Sequence, residues 1–261
     1  MGKDLKYKRI MIKLSGEAIG GMETVVIDGK EKKVPKFGVD FELSAEICKN
    51  IKDCYDLGCE IAIVIGGGNI WRGKNGGGKM NGSNADNMGM LATTINSVAI
   101  HDCLENVGVP SVVMCATPMP KIGDLFTAEK AVNKMKKGKV VIIAGGTGNP
   151  YFTTDTAVIL RAAELNVDLA VLGKSVDYIY TEDPKGGTNK NAKPIKKASY
   201  DYLIEHQLMA MDVSSYAIAK NNGIECELFV LGAGEKIKDI VMGKEIKSTH
   251  LSNDPEIQIL D

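Results

Sequence analysis

The sequence predicts an α/β protein with a largely parallel central sheet and helices on both faces. Three observations carry this. Strand-like apolar runs alternate with helical segments along most of the chain. The run at residues 60–65, EIAIVI, reads as a buried strand. Glycine-bearing turns follow directly on several of these strands. The length of 261 residues suits one large domain or two tightly joined lobes.

Taken in order, residues 8–14 form the first strand. Residues 24–37 hold an Asp28-Gly29 turn between two β-prone segments and read as a hairpin excursion. Residues 40–57 form an amphipathic helix with Ile47, Ile51 and Cys54 on its apolar face, ended by Gly58. The strand at 60–65 runs into Gly66-Gly67-Gly68-Asn69. Residues 73–82, dense in Gly, Asn and Lys, read as a mobile loop or lid. A long helix covers 84–107. Strands at 111–115 and 139–144 flank a Lys-rich helix, and a second glycine loop runs Gly145-Gly146-Thr147-Gly148-Asn149-Pro150. A helix starts near Thr154-Asp155, and 169–172 is another strand. Residues 185–197 are polar and are expected to be an exposed loop. Two helices, a strand at 226–231 and a helix at 235–242 complete the order, with a frayed tail expected after Thr249.

A formal net charge of −1 gives no global field for nucleic acid or a membrane, so any attraction for anions must be local. No apolar run approaches the roughly 18 residues needed to cross a bilayer, and residues 1–13 lack the apolar stretch of a signal peptide. The six cysteines form no CxxC pair and are expected to be reduced, mostly buried thiols of a cytoplasmic protein.

The chemistry concentrates in three turns: Leu14-Ser15-Gly16-Glu17, Gly66-Gly67-Gly68-Asn69, and Gly145 to Asn149. In a parallel sheet all three lie at the carboxyl ends of strands, where ligands bind. Glycine lets backbone N–H groups approach an anion closely, and helix N-termini add partial positive charge. Residues 68–75, GNIWRGKN, approach a P-loop but end in Asn75, which lacks the hydroxyl that ligates Mg²⁺. Lys13 ends the first strand, within reach of a phosphate, although a strand-end lysine could be a solubilising charge. Arg72 offers a planar fork for a phosphate. Asp155 and Asp212 each sit at a helix start, where either could merely cap the helix. With only three histidines, the chain suits transfer to a phosphate monoester, which is already largely dianionic and needs alignment rather than a general base.

Together these segments resemble the amino acid kinase superfamily and, within it, the bacterial-type UMP kinases (uridylate kinases). The matching stretches are KRIMIKLSGE at 8–17, IVIGGGNIWRG at 63–73, DNMGMLAT at 86–93, GTGNPYFTTD at 146–155, VDYIYTEDP at 176–184, and Met211-Asp212. GTGNPYFTTD is the most specific of them.

The resemblance implies a three-layer αβα sandwich and transfer of the γ-phosphate of ATP to UMP, with Mg²⁺ carried by ATP and no direct side-chain metal ligand. It implies that Lys13, Leu14, Ser15 and Gly16 contact the ATP phosphates, that Gly67 touches UMP and Gly68 touches ATP, and that Arg72 lies between the two nucleotides, holding the UMP phosphate. Asp86 would accept from the ribose hydroxyls. Thr147, Gly148, Asn149, Pro150, Tyr151, Phe152, Thr153 and Thr154 would form the uracil and phosphate wall. Lys13, Asp155 and Asp212 would be catalytic, the two acids orienting the lysines and Mg²⁺. Tyr180 and Asp183 would line the adenosine pocket, with Lys174 reaching the ATP phosphates or ribose. The implied organisation is an N-terminal lobe at 1–166 for UMP and oligomerisation, a C-terminal lobe at 167–248 for ATP, and a tail at 249–261. A homohexamer activated by GTP and inhibited by UTP is also implied, with no GTP site placed. The chain departs from the pattern at Leu172-Gly173-Lys174-Ser175, at Tyr178, and in the 28–36 insertion. Two rival readings stay open: a kinase of the same superfamily acting on a carboxylate, and a non-catalytic nucleotide-binding protein on this fold.

Overall fold

The computed structural model describes residues 5–27, 29–72, 80–174, 176–184, 187–231 and 237–260. Most of the expected glycine-rich loop, 73–79, lies outside the described residues, as do Asp28, Ser175, residues 185–186 and the first residues of the helix expected at 235–242.

The chain opens with β1 (Arg9–Leu14), α1 (Gly16–Gly20) and a separate hairpin of β2 (Met22–Ile27) and β3 (Lys30–Pro35). Then come α2 (Phe41–Tyr55), β4 (Glu60–Ile65), α3 (Gly82–Asn106), β5 (Ser111–Cys115), β6 (Asp124–Leu125), α4 (Ala128–Lys136) and β7 (Val140–Ala144). The second half holds α5 (Thr154–Leu165), β8 (Leu169–Lys174), β9 (Ile179–Tyr180), β10 (Pro194–Ser199), α6 (Tyr200–Glu205) and α7 (Val213–Asn222). It closes with β11 (Cys226–Val230), α8 (Ile237–Val241), β12 (Ser248–Ser252) and β13 (Gln258–Ile259).

One sheet runs through the whole molecule in the order β13-β10-β12-β11-β8-β1-β4-β7-β5-β6, with β9 paired to β10. From β11 to β6 every neighbouring pair is parallel. β1 sits near the centre, its Ile12 level with Ile63 of β4 and Val171 of β8. The side-chain alternation of a strand divides the core in two. Met11, Val64, Ile143 and Leu172 pack on one face beneath α5 and α7. Ile10, Ile12, Ile63 and Ile142 pack on the other beneath α2, α3 and α8. The architecture is therefore helix layer, mostly parallel sheet, helix layer.

Local signals set the helix limits. Asp40 caps α2 by accepting from the Leu43 N–H at 3.1 Å, and the turn after it closes at Gly58 with φ +88°. All six cysteines are free and buried. Burial pushes the thiols of Cys48 and Cys59 up to about 12, so neither is a thiolate at neutral pH. Among the described residues no helix is long and apolar enough to cross a membrane.

Two expectations need correction. The polar stretch 185–197 is not all loop, because Ile195 lies fully buried in β10. The frayed tail after Thr249 is a strand: β12 runs antiparallel to β11 and parallel to β10. Leu251 is fully buried, and buried Thr249 donates to the Ile195 carbonyl at 2.6 Å and accepts from the Ile179 N–H at 2.8 Å. The sequence STHLS reads as polar, but pairing on both edges satisfies its polar groups inside the sheet.

Leu251→Ala should therefore destabilise the protein by about 2–5 kcal/mol in urea unfolding. A change within about 0.5 kcal/mol, the range of an ordinary surface position, would restore the frayed-tail reading.

Candidate active site

β1, β4 and β7 are parallel and end at the same edge of the sheet, so the three glycine turns that follow them converge there. The first two touch. The Leu14 carbonyl accepts from the Gly66 N–H at 2.8 Å. A Cβ at Gly16 would lie 2.5 Å from Asn69 Oδ1 and 2.6 Å from the Gly68 amide nitrogen, so no other residue fits. Ser15 caps α1, its Oγ accepting from the Ala18 N–H at 3.1 Å, while the Leu14 side chain is buried in the core. Leu14 can thus offer a ligand only its backbone.

Helix α3 crosses behind the second and third turns and braces both. A Cβ at Gly67 would lie 2.8 Å from Ala92 Cβ and 2.9 Å from the Gly89 carbonyl. Thr93 Oγ1 accepts from the Gly145 N–H at 2.9 Å. Asn96 donates to the Gly66 carbonyl at 2.7 Å and to Asn69 Oδ1 at 2.7 Å. On the other side of the third turn, the buried Arg161 guanidinium donates to the Gly146 and Thr147 carbonyls at 3.3 and 3.2 Å. It also pairs with Glu164 at 2.7 Å and lies 4.4 Å from the Phe126 ring centre.

At the centre of this edge Asp155 is shared by two lysines. Lys13 Nζ lies 2.6 Å from Oδ1, and Lys174 Nζ lies 2.8 Å from Oδ2. Lys174 also donates to the Ala210 carbonyl at 2.9 Å. Burial opposes the Asp155 charge, but attraction to the two ammonium groups outweighs it and holds the carboxyl below its ordinary value of 3.8. Burial, and then repulsion from Lys13, lower the Lys174 ammonium from its ordinary 10.5 despite the favourable Asp155 contact. The cluster thus holds two cations and one anion, an excess of one positive charge.

The competing role of Asp155 as a helix cap is filled by Thr153, whose Oγ1 accepts from the Asp155 N–H at 3.2 Å. Asp212 precedes α7 yet makes no side-chain cap. Its Oδ2 accepts instead from Thr153 Oγ1, in a short hydrogen bond, and from Thr156 Oγ1 at 3.2 Å. Asp212 thus meets the lysine cluster through threonines and not by direct contact.

The remaining expected residues fall around the same edge. Half-exposed Arg72 forms an ion pair with Glu17 of α1 and donates from Nε to the Gly68 carbonyl at 3.2 Å. Asp86 Oδ2 accepts from the Tyr151 N–H at 2.8 Å, which holds Tyr151 at φ +70°, a backbone region that a bulky residue rarely occupies. The Asp86 Oδ1 atom takes no hydrogen bond from the described residues. Tyr151 and Phe152 are 76% and 51% exposed, so two large rings stand in solvent just before α5. Thr147 and Asn149 bond to one another and shape the third turn. Thr154, at the start of α5, lies against Gly66.

Beyond Lys174 opens a cavity of about 360 Å³. Tyr180, Asp183, Val176, Met209 and Leu228 are among its lining residues, and Lys174 and Ala210 form the end nearest Asp155. The volume lies in the range of ordinary small-molecule sites, and the mixed apolar and polar lining suits an aromatic base. His101 lies on α3 away from this edge, its Nδ1 2.7 Å from Ser111 Oγ. Residues 73–75, the near P-loop ending, lie outside the described residues.

Both Asp155 oxygens face ammonium groups, and an Asp212 oxygen is held by two threonines. No group of three or more His, Cys, Asp or Glu suited to a metal occurs among the described residues.

The sequence profile of the amino acid kinase family matches residues 8–229. The chain belongs to the amino acid kinase family. Within that family, the structure is similar to the UMP kinase of Bacillus anthracis, with a TM-score of 0.87, 30% identity, and 98% of this chain and 99% of that one covered. It is similar to the UMP kinase of Ureaplasma parvum, with a TM-score of 0.83, 31% identity, and 95% and 99% covered. The uridylate kinase of Archaeoglobus fulgidus, at 21% identity and a TM-score of 0.67 over 93% and 99%, shares the amino acid kinase fold.

Of the residues named from the sequence, the structure brings Lys13, Asp155 and Lys174 into one cluster and leaves Asp212 outside direct contact with the lysines; Thr93, Asn96, Thr156 and Arg161 were not singled out. Polar residues inside helices carry no motif. Thr93 alone of the four fell within a matching stretch, 86–93, and no role was read for it there.

Asp155→Asn should leave two ammonium groups facing each other and cost about 3–5 kcal/mol at neutral pH. Because the folded carboxyl titrates below 3.8, its contribution is fully present above that pH and fades as pH falls through the lower folded value. Unfolding free energies of wild type and variant should therefore differ by a constant amount between about pH 5 and neutrality and converge in stronger acid. A gap independent of pH down to about pH 2 would remove the charge from the account.

Proposed function

We propose that the chain transfers the terminal phosphate of ATP to UMP, giving ADP and UDP. An oxygen of the UMP phosphate attacks the γ-phosphorus, a new P–O bond forms, and the bond to the β,γ-bridging oxygen breaks with its electron pair leaving on ADP. The observation that carries the reading is the Lys13–Asp155–Lys174 cluster, placed between the 360 Å³ cavity and the turns bearing Tyr151 and Arg72. The family and the 30–31% identical relatives support the phosphotransferase class and this acceptor.

In this reading adenosine occupies the cavity against Tyr180 and Asp183, and the ATP phosphates run past Lys174 to Lys13 and the N–H groups of Ser15, Gly16 and Gly68. UMP lies across Gly67, its phosphate held by Arg72, its ribose by the remaining oxygen of Asp86, and its base by the 147–154 segment. Charge developing on the transferring group meets Lys13 and Lys174, already fixed by Asp155, so little reorganisation is needed. The acceptor phosphate is largely dianionic at neutral pH, so no base is required. Magnesium bound to the ATP phosphates would supply further charge neutralisation. Assembly as a homohexamer in the cytoplasm, GTP activation and UTP inhibition belong to the same proposal.

A carboxylate acceptor is the rival. ADP formation measured with UMP, CMP and N-acetylglutamate, with and without GTP, should favour UMP. Turnover confined to N-acetylglutamate would transfer the assignment to the rival.

Lys13→Ala should lower kcat by about 10²–10³ while UMP binding stays near normal. Retained turnover would take Lys13 out of the mechanism. Arg72→Ala should instead raise the KM for UMP at least about tenfold, the effect of losing a charge-assisted fork. An unaltered KM would mean that Arg72 serves Glu17 and not the substrate.

A further inference from the structure

Two buried asparagines, Asn69 and Asn96, stand face to face behind the phosphate turns, and the reaction scheme above leaves them without a role. The two residues are 4% and 0% exposed. Each amide donates to the other: Asn69 Nδ2 to Asn96 Oδ1 at 3.1 Å, and Asn96 Nδ2 to Asn69 Oδ1 at 2.7 Å. Their second N–H bonds go outward. Asn96 reaches the Gly66 carbonyl at 2.7 Å, and Asn69 reaches the Gly38 carbonyl at 2.7 Å. All four amide hydrogens are therefore used inside the protein.

The pair also acts by shape. The absent side chain of Gly16 is filled by Asn69 Oδ1, and a Cβ at Gly20 would lie 2.8 Å from Asn69 Cβ. The Gly38 N–H returns a bond to the Asn69 carbonyl at 3.1 Å. One amide pair thus joins the β1 turn, the β4 turn, helix α3 and the chain entering α2. A hydrophobic pair of similar volume would fill the space but leave the Gly66 and Gly38 carbonyls without these donors.

We propose that Asn96, acting through Asn69, is a positioning residue that fixes the spacing between the Ser15-Gly16 turn and the Gly67-Gly68 turn. This rests on the kinase reading, in which those turns carry the donor and acceptor phosphates. Phosphoryl transfer is sensitive to alignment, and a displacement of about 1 Å can cost about 10²-fold in rate. Loosening the pair changes the approach of the two phosphates more than the hold on either nucleotide.

The test compares wild type with Asn96→Thr and the isosteric Asn96→Asp. Both should lower kcat by about 10–100-fold with the KM for ATP and UMP within about threefold. In Asn96→Asp the carboxyl can donate only when protonated. Its kcat relative to wild type should therefore rise as pH falls from about 8 to about 6, which a packing defect would not produce. Hydrogen exchange read by mass spectrometry gives a measure independent of turnover. Exchange should quicken together in peptides spanning residues 12–20 and 62–69 and stay unchanged across β11 and β12. Unchanged kcat in both variants, or unchanged exchange in the two turns, would overturn the proposal. If wild type makes no ADP with UMP, the kinase reading for that acceptor fails on its own. The kcat and KM comparison is then made with whichever acceptor wild type does use, and the exchange result stands in either case.

Discussion

A single carboxylate shared by two largely buried ammonium groups is the constraint around which this molecule is organised. Asp155 on α5 reaches Lys13 from the central strand and Lys174 from its neighbour, so three elements are tied at one point. Taking these charges out of water is costly, and mutual attraction offsets the cost only where geometry is good. One cation remains in excess. The described residues answer it only with the Ala210 carbonyl, and a phosphoryl oxygen is the natural group to complete it. In the proposed reaction a chain of net charge −1 would hold polyanions through this local and partly desolvated field.

The turns around the cluster owe their form to crowding as much as to hydrogen bonding. At Gly16 and Gly67 the neighbouring atoms leave no space for a Cβ. Their glycines therefore serve packing first, letting the two turns press edge to edge. Such close packing suits the proposed reaction, whose catalysis is mostly alignment and charge.

Much of this was legible in the sequence, for identifiable reasons. The strand at 60–65 was read to the residue, because five of its six positions are buried and apolar. The convergence of the three turns followed from parallel topology alone. Asp155 and Asp212 were ambiguous between capping and chemistry, and only the structure shows Thr153 taking the cap of α5. Asn96 and Arg161 were invisible, because nothing local distinguishes a buried hydrogen-bonding residue in a helix from a solvated one. β12 was lost for the opposite reason: its Ser248, Thr249 and His250 look like a tail until both neighbouring strands are in place.

Helix α3 connects these observations. Near its start Asp86 grips the backbone of Tyr151. Further along, Gly89, Ala92 and Thr93 pack on the second turn or bond the third, and Asn96 holds the second turn from behind. Ten residues of helix span about 15 Å. A helix continuous over that distance relates the wall beside Tyr151 to the phosphate turns without any loop between them. The lysine cluster is fixed independently by α5, whose first residue, Thr154, packs against Gly66. Two helices on opposite faces of the sheet therefore meet at one glycine turn, α5 holding the two lysines through Asp155 and α3 holding the Tyr151 backbone through Asp86.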